Sequence, residues 1–429
     1  MITEALPAGW TITRLRDLHA GGTWSVNPAE HEDETFEYFS IPAYQNGLRA
    51  QHVKGGEILS QKLLIPAKCL LFAKLNPRVE KIWNVESSGD LRRLASTEWL
   101  PIVPEAHLDQ RFGYYLLWSK WVLPIAQSLT SGSTPSRQRV EPASFYEIEV
   151  PLPPMEEQQS IASLLDRFQR SLLAQDDLLA RLQDVKDTAK RALFTRGLKC
   201  ESQKESEIGP IPASWRVVRL GSLGRVGNGS TPKRSVREYW EGGTYPWLTS
   251  AKVYDREIVS AEQFVTEVAL RECHLPQVQP GAILIAITGQ GKTLGHCAVL
   301  AMTATINQHI AYVATDLALA DPSFVRGYLE TQYDYLRQVG EGGGSTKGAL
   351  TCGFLRELPM PLPTIEEQRE ISGVLDAIDQ KMRLHHQKRA VLDELFKALL
   401  HKLMTGKIRV ADLDLSALEP NDSAAATAA

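Results

Sequence analysis

One glycine-rich stretch has the residue types of a nucleotide site. Residues 286–293 read AITGQGKT and fit a relaxed phosphate-loop pattern, with Lys292 where a nucleotide-binding lysine would lie. A phosphate loop must open a helix whose N-terminus faces the phosphates. The next residues, LGHCAVLAM, are instead interrupted by glycine and rich in strand formers. The sequence therefore favours a hairpin turn here over an ATP site.

Metal and methyl-transfer chemistry are also poorly supported. Cys273-His274 and His296-Cys297 are adjacent pairs, and neighbours on a strand point to opposite faces, so they rarely share one metal. The five cysteines are scattered and form no Cys-x-x-Cys. A DNA methyltransferase would need a cofactor loop and an Asn/Asp-Pro-Pro-aromatic motif, and residues 222–229, SLGRVGNG, are only a weak glycine match. We expect no catalytic residue, no bound metal and no cofactor on this chain.

Polar, glycine-containing loops between strand-like runs indicate a different chemistry. Arg, Lys, Asn, Gln, Ser and Thr can contact phosphates and base edges, and glycine permits close backbone approach. In the first half of the chain the candidate DNA-binding residues are Gln45, Asn46, Arg49, Lys74, Asn76, Arg78, Lys81, Ser133, Thr134, Arg137 and Arg139. In the second half they are Asn228, Ser230, Thr231, Lys233, Arg234, Lys252, Thr288, Gln290, Lys292, Asn307, Gln308, Ser345, Thr346 and Lys347. A solvated turn is the simpler explanation of any single residue, but Ser-Thr after glycine recurs before the helix in both halves.

Composition limits how such loops could bind DNA. The net charge of −4 argues against coating nucleic acid by bulk electrostatics, so any contact is expected to be local or shared with a partner. A length of 429 residues favours two or three domains. No apolar run approaches the roughly 20 residues of a membrane helix, and the N-terminus lacks a secretory pattern, so we expect a cytoplasmic protein.

An internal repeat shows which elements must position the loops. Residues 151–166, PLPPMEEQQSIASLLD, return at 361–376 as PLPTIEEQREISGVLD. Residues 6–18, LPAGWTITRLRDL, similarly match 211–223, IPASWRVVRLGSL. The chain is therefore a duplication, in which each copy has a mixed α/β globular domain, here called a reader, followed by a long helix. Strands are predicted at 69–75, 281–287 and 297–302, and short helices around 110–121 and 323–339.

Each long helix carries a coiled-coil pattern. The prolines end a strand, and Glu-Glu-Gln then places two negative charges in the first helical turn, where the helix dipole favours them. Apolar residues follow on alternating steps of four and three. The predicted seam is Ile161, Leu165, Phe168, Leu172, Leu179, Leu182, Ala189 and Leu193, then Ile371, Leu375, Ile378, Met382, Leu392, Phe396, Leu399 and Leu403. Polar residues interrupt the seam at Gln175, Lys186, His385 and Arg389.

The two helices are expected to pair with each other in antiparallel orientation. About 40 residues at 1.5 Å each give a rod of about 60 Å, longer than a globular core needs. Each helix must also return the chain to the next reader, which antiparallel pairing allows. A symmetric register would place Gln175 opposite Arg389. Periodicity alone leaves dimerisation between two copies of the chain open as an alternative.

The expected domain order follows from the repeat. It is the first reader at 1–153, the central long helix at 154–200, a polar linker at 201–210, the second reader at 211–363, the C-terminal long helix at 364–410 and a flexible tail at 411–429.

This arrangement resembles the specificity subunit of type I restriction-modification systems. The resemblance rests on the Trp10 and Trp215 openings, the two PLP-x-x-EEQ-x-x-I-x-x-LD segments, the long helices and the Ser-Thr loops, and it covers essentially the whole chain. It is supported by residues 74–83, 96–99 and 288–295 and by Asn307-Gln308, which are similar to recurrent family segments.

The resemblance implies two target recognition domains, each reading one half of a bipartite, asymmetric DNA site, with the coiled coil setting the spacer. It implies two methyltransferase (modification) subunits docked on this chain, which would bind S-adenosylmethionine. Restriction subunits, which would use ATP with Mg, are a further implied partner. This chain would itself be non-catalytic. A coiled-coil scaffold that reads no DNA, and a methyltransferase carrying its own readers, remain as rival hypotheses.

Overall fold

The computed structural model describes residues 6–21, 23–131, 138–289, 292–341 and 349–414. The α-helices within them are α1 (Ile41–Gln45), α2 (Gln110–Trp118), α3 (Leu123–Ser128), α4 (Pro142–Tyr146), α5 (Met155–Arg196), α6 (Glu267–Glu272), α7 (Pro322–Thr331), α8 (Tyr333–Glu341), α9 (Cys352–Glu357) and α10 (Ile365–Met404). The strands before α5 are β1 (Thr11–Arg14), β2 (Trp24–Val26), β3 (Thr35–Phe39), β4 (Gln51–Lys54), β5 (Lys62–Ile65), β6 (Lys68–Ala73), β7 (Ile82–Glu86), β8 (Arg93–Ala95), β9 (Trp99–Ile102), β10 (Thr130–Ser131), β11 (Arg139–Val140) and β12 (Glu149–Leu152). Those after α5 are β13 (Gln203–Lys204), β14 (Ile211–Pro212), β15 (Arg216–Arg219), β16 (Gly224–Asn228), β17 (Tyr245–Leu248), β18 (Glu257–Ile258), β19 (Gln263–Val265), β20 (Ile283–Ala286), β21 (Cys297–Leu300), β22 (Thr305–Ile306), β23 (Ile310–Thr315) and β24 (Pro359–Leu362).

The chain forms two compact units that divide both long helices. The first unit is Met1–Asp176 with Gln387–Ala429, and the second is Asp177–His386. Each unit therefore contains one reader and one half of each long helix. The domain boundaries predicted from the sequence make each long helix a separate segment. Apolar periodicity locates a helix, but it does not show which core each half of the helix joins.

The first reader is built on two sheets. A five-stranded sheet has the order β2-β5-β8-β3-β4, and a three-stranded sheet has the order β7-β6-β9. The central strand β6 is predicted from its apolar run, and its side chains from Cys69 to Ala73 are buried. Helix α2 packs on β6 and β7, in the region where the sequence predicts a short helix.

The second reader has sheets of the same sizes. Their strand orders are β16-β23-β20-β21-β18 and β19-β17-β22. Strands β20 and β21 are antiparallel neighbours, so the glycine-rich residues between them connect two strands and open no helix. The predicted hairpin is confirmed. The helix predicted at 323–339 is instead two helices, α7 and α8, which are separated at Gln332.

Each reader begins and ends in one antiparallel pair of strands. In the first reader Thr11 of β1 is opposite Leu152 of β12, and in the second reader Arg216 of β15 is opposite Leu362 of β24. The repeated opening and Pro-Leu-Pro segments are therefore hydrogen-bonded partners. The two repeated segments therefore form one structural unit in each reader.

The glutamine of each Glu-Glu-Gln joins its helix to the reader. The buried Gln158 Nε2 donates to the carbonyls of Pro153 and His107, both at 2.9 Å, and its Oε1 accepts from the Asp109 amide at 2.9 Å. Gln368 makes the same set of bonds, to the carbonyls of Pro363 (3.0 Å) and Leu319 (3.1 Å) and from the amide of Asp321 (2.8 Å). Asp109 and Asp321 then cap α2 and α7.

The helix halves run antiparallel within each unit, as predicted. In the first unit Ile161 and Leu165 share a core with Leu403, and further along both helices Asp176 forms an ion pair with Arg389. The partner of Arg389 is thus the residue next to the predicted Gln175. In the second unit the core joins the end of α5 to the start of α10 through Leu193, Phe194, Ile371 and Leu375.

The remaining seam positions are partly buried and partly half-buried. Phe168 and Leu179 are buried. Half-buried seam residues are Leu172, Leu182, Ala189, Ile378, Met382, Leu392, Phe396 and Leu399. Partial exposure is expected where two helices cover only one side of each other.

An ionic group replaces apolar packing where Lys186 interrupts the seam. Lys186 Nζ lies 2.6 Å from Asp379 Oδ1, and both side chains are at most 17% exposed. One turn later Lys190 Nζ lies 2.5 Å from Glu330 Oε2 on α7. Asp379 also pairs with Arg256 of the reader. Charged side chains therefore fasten the second reader to both helix halves in its unit.

The predicted linker at 201–210 is folded. Its strand β13 pairs with β14. Just before the linker, the backbone amide of Leu198 donates to Glu367 Oε1 at 3.3 Å. Gly197 ends α5 with a positive φ of 63°, a conformation that glycine adopts without steric cost. None of the described helices combines the length and apolar character that a bilayer span requires.

Candidate nucleic-acid interface

Three loops of the second reader form one polar surface. They are residues 228–234, residues 305–309 and the start of the loop after β20. The Ser230 amide donates to the Ile306 carbonyl at 3.1 Å, and Thr231 Oγ1 hydrogen-bonds to the Gln308 side chain. Thr288 Oγ1 lies 2.5 Å from His309 Nδ1. The structure thus brings together candidates that are more than 70 residues apart in sequence.

The turn at residues 305–309 depends on close backbone packing. A Cβ on Gly229 would lie 1.8 Å from the Ile306 carbonyl oxygen, so only glycine fits there. Asn307 is 5% exposed, and its Oδ1 accepts from the His309 amide at 3.0 Å. The Asn307 side chain therefore shapes the turn and is not displayed to solvent, whereas Asn228, Thr231 and Gln308 are exposed.

Arg234, at the end of the first loop, is held against two tryptophans. Its guanidinium carbon lies 3.7 Å from the Trp240 ring centroid and 5.0 Å from that of Trp247. Arg234 Nη2 donates to Gln263 Oε1 at 2.5 Å. The guanidinium plane is therefore fixed although the residue is exposed.

The neighbouring lysines differ in how far carboxylates neutralise them. Lys233 and Lys292 are exposed. Lys252 is half-buried, with Nζ 3.0 Å from Glu262 and 3.8 Å from Asp255. The hydrogen bond that Lys252 donates to the Glu262 carboxylate raises the pKa of Lys252. Because its charge is already paired, Lys252 is a weaker candidate for a phosphate contact than the two exposed lysines.

A cluster of three tilted aromatic rings contacts the loop after β20. The His296 ring lies between Tyr254, with centroids 4.6 Å apart, and Tyr333, at 4.8 Å. Tyr333 Oη donates to the Lys292 carbonyl at 2.6 Å, and Tyr254 Oη lies 2.9 Å from Thr293 Oγ1. Burial lowers the pKa of His296, so its neutral form is favoured in this aromatic cluster.

In the first reader, residues 74–76 meet residues 138–140. The backbone amide of Asn76 donates to the Gln138 carbonyl at 2.8 Å, and the backbone amide of Val140 donates to the Lys74 carbonyl at 2.9 Å. Leu75 and Arg139 form the bridge between the two segments. Arg139 donates hydrogen bonds from Nε and Nη2 to the Glu98 carboxylate at 3.0 to 3.3 Å. Part of its positive charge is therefore already neutralised.

The other candidates of the first reader lie in different environments. Lys81 is 7% exposed, and its Nζ donates to the Val79 carbonyl at 2.5 Å. Because its side chain is buried and donates to a backbone carbonyl, Lys81 is a weaker candidate for a DNA contact than the sequence suggests, and burial also lowers its pKa. Arg78 is exposed. Gln45, Asn46 and Arg49 are also exposed, at the end of α1 and in the turn after it.

The two readers use one arrangement for their loops. Leu75 bridges to Arg139 in the first, and Thr288 bridges to Ala349 in the second. In both, the loop after the central strand touches the segment before the last short helix. The candidates Ser133, Thr134, Arg137, Gln290, Ser345, Thr346 and Lys347 lie outside the described residues.

The described part of the chain contains no cluster of metal ligands. Within it, no three His, Cys, Asp or Glu side chains lie close enough to hold a metal ion. Cys297 is buried, and its Sγ contacts the Arg326 carbonyl at 3.6 Å. Burial raises the pKa of the Cys297 thiol to about 12.

Sequence reasoning missed three residues of this surface, namely His309, Trp240 and Trp247. His309 follows the candidate pair Asn307-Gln308 directly, so extending that pair by one residue would have included it. The two tryptophans follow the NGSTPKR stretch within 13 residues. Aromatic side chains this close to a basic loop are a usable signal, because arginine stacks on aromatic faces.

Comparison with known proteins gives a consistent match. The family model of the type I restriction modification DNA specificity domain matches twice, at residues 7–182 and 212–394. The type I restriction enzyme MjaIX specificity subunit of Methanocaldococcus jannaschii is 31% identical over 214 residues, which are 48% of each chain. The chain thus spans about half the length of that relative.

Two further matches extend over nearly the whole chain. The MjaVIII specificity subunit of the same organism is 23% identical over 422 residues, 95% of each chain. A solved structure from work on complex assembly and conformational transition of the type I R-M system has a TM-score of 0.63 at 23% identity. It covers 94% of this chain and 100% of the solved one. A likeness of this degree supports the fold.

Proposed function

This chain belongs to the type I restriction-modification DNA specificity family, whose model covers more than half of it, and we propose that it is the sequence-specific DNA-binding subunit of such a complex. The observation that carries the proposal is the match of one specificity-domain model to both readers. Each reader also gathers polar loops at the end of its central strand. Each would read one half of a bipartite site.

The two half-sites should differ in sequence. The first reader assembles Lys74, Asn76 and Arg139, whereas the second assembles Thr231, Gln308 and Arg234. Different donors and acceptors at the DNA surface select different base edges. An asymmetric site therefore follows from two readers that share a frame and differ in their loops.

The long helices would set the spacer between the half-sites and dock the partners. Both helices are continuous across the boundary between the units, so a change in their length is expected to change the preferred spacer. We propose that two methyltransferase subunits dock on this chain and supply S-adenosylmethionine chemistry. Restriction subunits would supply ATP and Mg chemistry, and this chain would bind none of these cofactors.

Selection from a random duplex pool tests the proposal. The chain would be purified with its methyltransferase partner and the retained duplexes sequenced. Two short, unlike half-sites at one fixed separation are expected, and changing that separation by about one base pair should abolish retention. A scaffold would retain no preferred sequence. Methylation of DNA by this chain alone would contradict its non-catalytic role.

A further inference from the structure

We propose that Arg234 recognises a guanine in the half-site of the second reader, and that Trp240 and Trp247 hold its guanidinium in place for that contact. The inference rests on the DNA reading proposed above. It goes further by assigning one base contact to one side chain and a positioning role to two others.

Arg234 lies in a corner formed by two tryptophan rings. The rings of Trp240 and Trp247 are perpendicular, with centroids 5.1 Å apart. The guanidinium stacks on Trp240 at 3.7 Å and faces Trp247 at 5.0 Å. Stacking fixes the plane of the guanidinium and leaves its N–H edge directed away from the ring faces.

The same two indoles also hold the backbone of the loop that carries Arg234. Trp240 Nε1 donates to the Lys233 carbonyl and Trp247 Nε1 to the Ser230 carbonyl, each at 3.2 Å. A phosphate contact needs only a positive charge within reach, whereas a base-edge contact needs a fixed plane and direction. An exposed arginine held at its side chain and at its own loop fits the second requirement.

The Arg234 guanidinium is hydrogen-bonded to a neutral side chain and not to a carboxylate among the described residues. Its recorded hydrogen-bond partner is the neutral amide of Gln263, whereas Arg139 and Lys252 are bonded to carboxylates. One amide oxygen cannot satisfy the five N–H donors of a guanidinium. Guanine presents two acceptors, N7 and O6, on one edge, which the arginine fork matches.

Pool selection on the partner-bound complex tests this assignment. Arg234→Lys keeps the charge and removes the fork. It should relax a guanine preference at one position of one half-site by at least about fivefold. Trp240→Leu should relax the same position while leaving the salt dependence of binding unchanged. Arg237→Ala is the matched control, because Arg237 is exposed and forms an ion pair with Glu241, with Nε 3.6 Å from Oε1. This substitution should leave the selected motif unaltered.

The outcomes separate the two proposals. If Arg234→Lys and Arg234→Ala select the wild-type motif and only bind more weakly, Arg234 contacts phosphate and the assignment is wrong. If the wild-type complex selects no motif, the DNA-reading function itself fails. Unchanged preferences at the other positions of the second half-site, measured on the same duplexes, show that the second reader of each variant is folded.

Discussion

Replacing Gln158 by alanine should destabilise the joint between the first reader and its helices. The Gln158 side chain is 1% exposed and satisfies two carbonyls and one amide. Alanine leaves these three groups without that partner. At about 1 kcal/mol for each hydrogen bond, the expected loss is about 3 kcal/mol. Gln159 is the matched control, because it is the next residue and is exposed.

Hydrogen exchange and urea unfolding would measure this loss. Local opening should speed amide exchange in α2 and at the start of α5 on the order of a hundredfold, which is the factor that about 3 kcal/mol corresponds to. Exchange in α7 of the other unit should stay unchanged in this variant and rise in Gln368→Ala. Equal unfolding free energies for Gln158→Ala and Gln159→Ala, within about 0.5 kcal/mol, would refute the reasoning.

Three further predictions concern thiols, loop packing and pH. Burial raises the thiol pKa of Cys69 and Cys297 to about 12, so a thiol reagent at about pH 8 should label the exposed Cys200 and reach those two only after unfolding; equal labelling rates would contradict this. Gly229→Ala should abolish the second half-site preference in pool selection, because its Cβ would lie 1.8 Å from a carbonyl, while Gly353→Ala, whose nearest atom is at 3.7 Å, should not. Since burial lowers the pKa of His296, the unfolded chain binds its proton first, so stability should fall as pH drops below about 6.5. In urea unfolding over that pH range, His296→Phe should lose less unfolding free energy than the wild type. Equal losses in the two proteins would show that His296 does not cause the pH dependence.

The order of readers and long helices could be predicted from the sequence because the internal repeat marks where each helix begins. Two copies of Pro-Leu-Pro and Glu-Glu-Gln mark two helix starts, and the apolar steps of four and three predict a seam. What the pattern could not show is which core each helix half joins. Ile161 and Leu403 belong to one core because of tertiary contacts between residues far apart in sequence.

Polar residues were harder to assign than apolar ones. Lys186 breaks the seam pattern, yet the structure uses it in an ion pair with Asp379. Lys81 and Asn307 have the residue types of DNA contacts, yet both are buried. A polar side chain can satisfy its hydrogen bonds with backbone or with solvent, and single-sequence patterns do not distinguish these environments.

The strand pair that opens and closes each reader has a consequence for exchange between proteins. Thr11 lies opposite Leu152, and Arg216 lies opposite Leu362. The chain therefore enters and leaves each reader at adjacent points. A foreign module whose two ends also sit side by side could be spliced in at these points without lengthening either helix. New binding preferences could then arise by transplanting a whole module, while the helical frame keeps its original dimensions.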